Sequence, residues 1–306
     1  MQNKQIQYIE IDDSSEDQRI DNFLFKLFKD VPKNHIFKII RNGEVRVNKK
    51  RIKTLYKLKI NDVVRIPPID FIEKKEKTPS TAFKPEIIFE DEWLLVVNKP
   101  NGLAVHGGSG IDFGLIELMR HLNPEHRFLE LVHRIDKNTS GIIVIAKKRS
   151  ALRLMQELFR NKKIKKNYLV AVKGNWDLQK KEVILRLEKK QTPEGHHVNV
   201  VEDPLKGKLS KSIFYLVKKT PHKSLLSAQI ITGRTHQIRV QLAFLGFPVL
   251  GDDKYGDFAL NKKLHSSGLK RMFLHAHKLS FTHPFTEEKV ELVADLPIEL
   301  GKFFDE

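Results

Sequence analysis

The chain has no cysteine, only two tryptophans and only four methionines in 306 residues. Without cysteine there is no disulfide, no thiolate nucleophile and no zinc site with sulfur ligands. Long apolar runs are missing too. WLLVV at 93–97 and GIIVIA at 141–146 are the longest, far short of the ~18 residues that suggest a membrane span. The stretch MQNKQIQYIEIDD has no basic segment leading into an apolar one, so it does not read as a secretory signal. The lack of cysteine does not fix the compartment, but nothing here directs the protein out of the cytoplasm, and a cytoplasmic location is expected. Acidic residues are the minority charge, 38 against 55 Lys and Arg, for a net +17. Such a balance calls for a polyanionic partner. A membrane surface would require a basic amphipathic helix or a lipidation motif. No lipidation motif is present, so nucleic acid is favoured and no membrane is expected.

What is present suffices for a core, with 40% hydrophobic residues. The length suggests about two domains. Thirteen histidines could serve a metal, but no H-E-x-x-H occurs. His275 and His277 are two apart, hence on one face of a strand. Packed or surface histidines explain that pair as well, and no metal is expected.

Residues 1–17 read as an N-terminal tail and 18–66 as a small module. In QRIDNFLFKLFKD the apolar residues Ile20, Phe23, Leu24, Leu27 and Phe28 have helical spacing. A second short helix fits HIFKIIR, stopped by Asn42-Gly43. EVRVN then alternates, and VVRIP at 63–67 closes the module as a strand. Between Arg41 and Lys59 lie eight basic residues and one acidic, Glu44. A charge run is usually a solvated face. This one is denser, and it follows a helix pair. The arrangement resembles the S4 RNA-binding domain, which implies RNA contacts from Arg41, Arg46, Lys49, Lys50 and Arg51.

Residues 67–85, rich in Pro and charge, read as a linker. A larger domain spans 86–306. EIIFE and WLLVVNK read as strands joined by an acidic turn. ELVHR, GIIVIAKK, NYLVAVKG, SIFYLVKK and SLLSAQIIT are further strands. Helices fit FGLIELMRHL, SALRLMQELFR, THQIRVQLAFLG and IELGKFF. No regular βαβ alternation appears, so the fold class is α+β, a mixed and largely antiparallel sheet with flanking helices.

Three segments carry polar residues that packing alone does not require: LVHRIDKNTSG at 131–141, KKIKKNYLVAV with Tyr168, and ITGRTHQIRVQLAFLG with Arg234, His236, Gln237 and Arg239. Each has a plain reading. Asp136 could cap a turn, Tyr168 could be an ordinary strand residue, and Arg239 could lie on a helix surface. HRIDKN superficially matches the kinase catalytic loop, but Ile135 separates Arg134 from Asp136 and the DFG at 112–114 precedes it. The glycines at 107, 108 and 110 read as a turned loop, with a phosphate contact only weakly signalled.

Taken together, HRIDKNTSG, NKPNGLAVHGG, KNYLVAVKG, TGRTHQIRVQL and GDDKYG resemble, in order, the motifs of pseudouridine synthases of the ribosomal large-subunit type. The resemblance covers residues 18–300. Ile135 stands where Leu is usual, and Gln241 where His is frequent. The resemblance implies conversion of specific uridines of 23S ribosomal RNA, free or in a large-subunit assembly intermediate, and nothing in the sequence requires more than a monomer. It implies Asp136 as catalytic residue, with Arg239 as its ion-pair partner. Asp136 would either add to base or ribose or stabilise a sugar intermediate. Tyr168 would lie on the flipped uracil, in proton transfer or in stacking. Arg134 would fill the vacated space or hold the nucleotide through phosphate. The reaction breaks N1–C1′ and joins C5 to C1′ with no net oxidation, so no cofactor is expected. The alternatives are a non-catalytic RNA-binding assembly factor, or the same isomerisation on another RNA. The basic run from Lys147 to Lys173, ten basic residues against Glu157, suits a phosphate track.

Overall fold

The computed structural model describes residues 5–28, 31–69, 83–108, 113–192 and 195–305. Most of the expected linker, together with Gly110 and Asp112, lies outside these. The chain divides into two compact units, one built mainly on residues 1–79 and the other mainly on 80–306.

The first unit comprises β1 (Gln7–Glu10), α1 (Ile20–Leu27), α2 (Lys33–Arg41), β2 (Arg46–Val47), β3 (Lys50–Arg51) and β4 (Val63–Ile66). Its sheet runs β1-β4-β2-β3. The helices bury Ile20 and Leu24 from α1 and Ile36, Ile39 and Ile40 from α2, the faces their spacing dictates. Val47, Leu58, Val64 and Ile66 complete this core. The expected tail is corrected here. Gln7–Glu10 pairs antiparallel with all of β4, and Ile11 behind it is buried. The alternation Ile9, Ile11 is the local signal for that strand.

Asn48 and Lys49 both have positive φ, 50° and 67°, as a two-residue hairpin turn between β2 and β3 requires. Asn48 is held from two sides. Its Nδ2 donates to Asp62 Oδ1 (2.8 Å), and its Oδ1 accepts from the Val63 N–H (2.9 Å). Asp62 also accepts from Tyr56 Oη at 3.0 Å and from the Lys59 N–H at 2.9 Å. One buried carboxylate thus pins the segment that carries the basic residues.

The second unit contains β5 (Glu86–Glu90), β6 (Leu94–Lys99), α3 (Leu115–Leu122), β7 (Glu130–Leu131), β8 (Ser140–Ala146), α4 (Arg149–Arg160), β9 (Lys165–Lys173), β10 (Lys180–Thr192), β11 (Gly195–Val201), β12 (Lys208–Lys219), β13 (Lys223–Ile230), α5 (Gln237–Phe244), α6 (Phe258–Ser266), β14 (Leu274–Thr282), β15 (Lys289–Val293) and α7 (Ile298–Asp305). One sheet runs β11-β10-β12-β13-β9-β14-β8-β6-β5, with β15 on β14 and β7 on β8. All pairings are antiparallel except β14 with β8. The α+β fold and the largely antiparallel sheet are therefore as the sequence indicates. No described helix is long and apolar enough to cross a membrane.

Two details place the site. The expected strand ELVHR shrinks to Glu130–Leu131. The Val132 N–H still reaches the Val144 carbonyl (3.0 Å), but the Val144 N–H goes to the His133 ring Nε2 (3.1 Å) rather than to a backbone carbonyl. The ladder ends there and the chain turns. At the far side of the turn, β8 starts against β14 through Gly141, whose φ is 110°. A Cβ at this glycine would lie 2.3 Å from the Ala276 carbonyl oxygen. Only glycine allows that approach.

Candidate active site

HRIDKN alternates across its short extended stretch. Ile135 is buried in the core, while the side chains of Arg134 and Asp136 face away from it, exposed and partly exposed. The turn closes on the Asp136 backbone carbonyl, which accepts from the Thr139 N–H (3.1 Å). The Asp136 carboxylate is therefore not consumed as a cap. Its Oδ2 accepts from Arg239 Nη1 at 3.2 Å, and its side chain keeps 26% exposure.

Arg239 comes from α5 and is buried. The plain reading of it as a surface residue fails. Its stronger partner is Asp252, bound in a two-pronged fork, Nε to Oδ2 at 2.7 Å and Nη2 to Oδ1 at 2.6 Å. Asp252 is fully buried and also accepts backbone N–H bonds from Lys254 (2.8 Å) and Tyr255 (3.1 Å). The Tyr255 ring lies 5.1 Å from the guanidinium carbon. Burial opposes the charge on Arg239, but its bonds to Asp252 and the charges of Asp252 and Asp136 outweigh this and hold its pKa above the usual range. Burial likewise pushes the Asp252 carboxyl up, and Arg239 with the two N–H bonds brings it below its ordinary value. Arg239 is thus a fixed cation with its plane locked. The partner that locks it, Asp252, stands in GDDKYG, a motif whose role no local pattern reveals. A buried guanidinium facing a partly exposed carboxylate implies a second, buried carboxylate behind it.

The start of α5 is set by Gln237. Its Oε1 accepts from Thr232 Oγ1 (2.8 Å) and the Arg234 N–H (3.0 Å), and its Nε2 donates to Lys211 O (3.0 Å) and Ser212 Oγ (2.8 Å). All its bonding capacity goes into placing the helix. Gln241 is also turned inward, donating to Ser210 Oγ at 3.0 Å.

Tyr168 sits in the interior of β9 rather than at its opening, and it is buried. Burial first, then the charge of Asp136, raises its phenol pKa above the ordinary ~10. The phenol is therefore protonated throughout the neutral range. Asp136, Tyr168 and Arg239, separated by up to 103 positions, converge in one unit.

Lys99 is a residue that sequence reasoning passed over. It is fully buried, and its ammonium donates to three carbonyls, Pro100 (2.8 Å), Leu103 (2.8 Å) and Lys137 (3.0 Å). Those bonds tie the NKPNGL loop to the residue after Asp136. Burial and the Arg271 charge lower its pKa to about 7, with Asp136 acting in the opposite direction. His133 serves structure, its Nε2 accepting from the Val144 N–H. Its ring stacks on Phe159 at 4.7 Å, and burial with the nearby Lys166 charge lowers it to about 3. His275 and His277 do share a side of β14, and both bond the Ala294 carbonyl, at 3.0 and 2.7 Å. Among the described residues no group of three or more His, Cys, Asp or Glu is arranged to hold a metal.

The other predicted RNA contacts lie in the first unit. Arg41, Arg46, Lys49, Lys50 and Arg51 are all exposed. Arg46 and Arg51 are direct register partners across β2 and β3, a like-charge pairing that favours an anion between them.

Known proteins match both units. Residues 93–244 match the RNA pseudouridylate synthase model, and residues 18–64 match the S4 domain. The chain is 49% identical to the ribosomal large subunit pseudouridine synthase C of Vibrio vulnificus, covering 97% of this chain and 95% of the relative. It is 46% identical to the protein of the same name from Haemophilus ducreyi, covering 95% and 92%. The solved structure of human RNA pseudouridylate synthase domain containing 4 superposes with a TM-score of 0.58 at 28% identity, over 72% of this chain and 92% of that one. Human domain containing 1 shares the fold, with a TM-score of 0.60 at 24% identity over 72% and 87%. By full-length similarity the chain belongs to the RNA pseudouridylate synthase family, as an isomerase carrying an S4 domain at its N-terminal end.

Proposed function

We propose that this enzyme converts specific uridines of 23S ribosomal RNA to pseudouridine, acting as a cytoplasmic monomer on the free RNA or on an assembling large subunit. The observation that carries this reading is the state of Asp136. Its carboxylate is anchored on one side by Arg239 at 3.2 Å and open on the other. The names of the bacterial relatives favour large-subunit RNA as the substrate. An ionised carboxylate held in place suits attack on, or electrostatic support of, a ribose or base as N1–C1′ breaks. Arg239 neutralises the resting carboxylate and, fixed by Asp252, needs no reorganisation when the charge moves. The target base must leave its stack, at a cost of a few kcal/mol. Arg134, exposed beside Asp136, takes the vacated space or the displaced phosphate. Tyr168, protonated and buried, supports the turned uracil with its ring, and its hydroxyl takes the C5 proton as it passes its own proton to the Asp136 carboxylate, whose charge reaches it. The basic hairpin of the S4 domain supplies affinity and register, and RNA shape with a few base contacts supplies the choice of uridine.

The test is pseudouridine mapping of ribosomal RNA from cells lacking the protein, complemented with wild type or with Asp136→Asn. Loss of specific large-subunit sites, restored by wild type alone, is expected. Full retention of every site would overturn the substrate assignment, and transfer RNA would be mapped next. Restoration by Asp136→Asn would overturn the role of Asp136.

A further inference from the structure

We infer that His236 is a positioning residue for Asp136, presenting a neutral Nε2–H to its carboxylate, and that Tyr255 and the edge strand β11 fix this tautomer. The inference rests on the assignment of Asp136 as the catalytic carboxylate.

His236 precedes α5 in the left-handed region, φ 52°, a conformation that a residue with a β-carbon adopts only when its surroundings hold it. Its ring is held by Tyr255, with Nδ1 2.8 Å from the phenol oxygen. That oxygen accepts a second bond, 3.0 Å long, from the backbone N–H of Val198 on β11. A backbone N–H only donates, so the phenol oxygen is an acceptor there. Its own proton then has one acceptor among the described contacts, His236 Nδ1. Burial keeps that proton on Tyr255. With Nδ1 accepting, the ring proton sits on Nε2. Nε2 lies 4.0 Å from Asp136 Oδ2, the same oxygen that Arg239 contacts. This is too long for a hydrogen bond, and a movement of about 1 Å closes it.

Charge explains the use of a neutral donor. The groups facing His236 are Asp136, Arg239, Lys254 and Asp252, with the His197 ring tilted against Tyr255 at 4.7 Å. Arg239 already supplies a full positive charge to Asp136. A second cation would hold the carboxylate too tightly for it to act on a substrate, whereas an uncharged N–H orients it without adding charge. Burial first, and Arg239 and Lys254 after it, keep the imidazole uncharged against the pull of Asp136 and Asp252. β11 is the outer strand of the sheet, so the Val198 N–H bond turns an otherwise unpaired edge donor into a link between this hairpin and the active site.

The test is Tyr255→Phe in the full-length enzyme. The ring over Arg239 is kept, and only the hydroxyl that donates to His236 Nδ1 and accepts from Val198 is lost. Single-turnover pseudouridine formation on 23S RNA should fall by roughly 10- to 100-fold. The pH profile of the surviving rate should stay that of wild type, because burial and the Arg239 and Lys254 charges still hold the ring uncharged, and RNA affinity should hold. Nitrogen NMR of histidine-labelled protein should show the wild-type ring protonated at Nε2, and the variant ring in mixed forms. Val198→Pro, which removes the N–H at the sheet edge, should shift the tautomer in the same direction. A wild-type ring protonated at Nδ1, or a Tyr255→Phe enzyme with full rate, would overturn the inference. Asp136→Asn is measured alongside. If it is fully active, the catalytic assignment fails and the NMR result still decides the tautomer. If it is inactive while Tyr255→Phe is normal, only the inference about His236 fails.

Discussion

Arg239→Met separates what the buried ion pair does for stability from what it does for chemistry. The substitution keeps volume and removes the fork onto Asp252 and the bond to Asp136. Asp252 remains, fully buried, and keeps its backbone N–H bonds from Lys254 and Tyr255. Removing one member of a buried pair costs about 3–5 kcal/mol, because the other charge is stranded. The two surviving N–H bonds place this case at the lower end, about 3 kcal/mol. For a unit of this size that corresponds to a fall in Tm of about 6–12 °C. Replacing both partners, Arg239→Met with Asp252→Leu, removes the stranded charge and should return stability to within about 1 kcal/mol of wild type. Pseudouridine formation should stay lost in both variants, because Asp136 has no cation.

The pH dependence gives a sign that packing loss alone does not. In wild type the folded pKa of Asp252 lies below its ordinary value, so its contribution is present above ~3.9 and is lost as pH falls through the depressed folded value. In Arg239→Met burial is opposed by the backbone N–H bonds of Lys254 and Tyr255 without the guanidinium, and the folded pKa should rise above the unfolded one. The deficit then grows as pH rises above ~3.9 and shrinks as pH falls through the raised value. Denaturant unfolding at pH 7 and pH 5 measures both variants. A deficit below about 1 kcal/mol at pH 7, or one that widens on acidification, would refute the reasoning.

The sequence carried the elements with strong periodicity and little of what brings them together. α1, α2 and α4 are legible because their apolar residues fall on one face. The strands β6 and β8 are legible as uninterrupted apolar runs, as expected for strands covered on both sides. β10 is not, because KKEVILRLEKKQT mixes charge into both faces of a strand beside the sheet edge. β14 is decisive for the site and equally silent. It lies between β8 and β9, so it sets the spacing between the turn bearing Asp136 and the strand bearing Tyr168. No local pattern in LHAHKLSFT announces a strand that is antiparallel to one neighbour and parallel to the other. Motif resemblance supplied the convergence of Asp136, Tyr168 and Arg239, since residues this far apart in sequence share no period. Asp252, Tyr255 and His236 stood in quoted motifs without roles, because their roles exist only relative to a guanidinium that local sequence leaves on either face of a helix.

In the S4 domain, the triple change of Arg46, Lys50 and Arg51 to alanine should weaken RNA binding at low salt. It should reduce the slope of log K against log salt by about 2 to 3, which filter binding across a salt series reads directly. An unchanged slope would remove these residues from the phosphate contacts. Tyr168→Phe distinguishes the phenol from its ring. Burial and Asp136 hold the hydroxyl protonated, so under the proposed mechanism it passes a proton on rather than serving as a free phenolate, and the wild-type rate should show no basic limb from this group up to about pH 9. The variant keeps the ring and hence RNA affinity, while single-turnover product formation should drop by roughly 100-fold or more. A Tyr168→Phe enzyme with near-normal turnover would assign Tyr168 to stacking alone and require another group to carry the C5 proton.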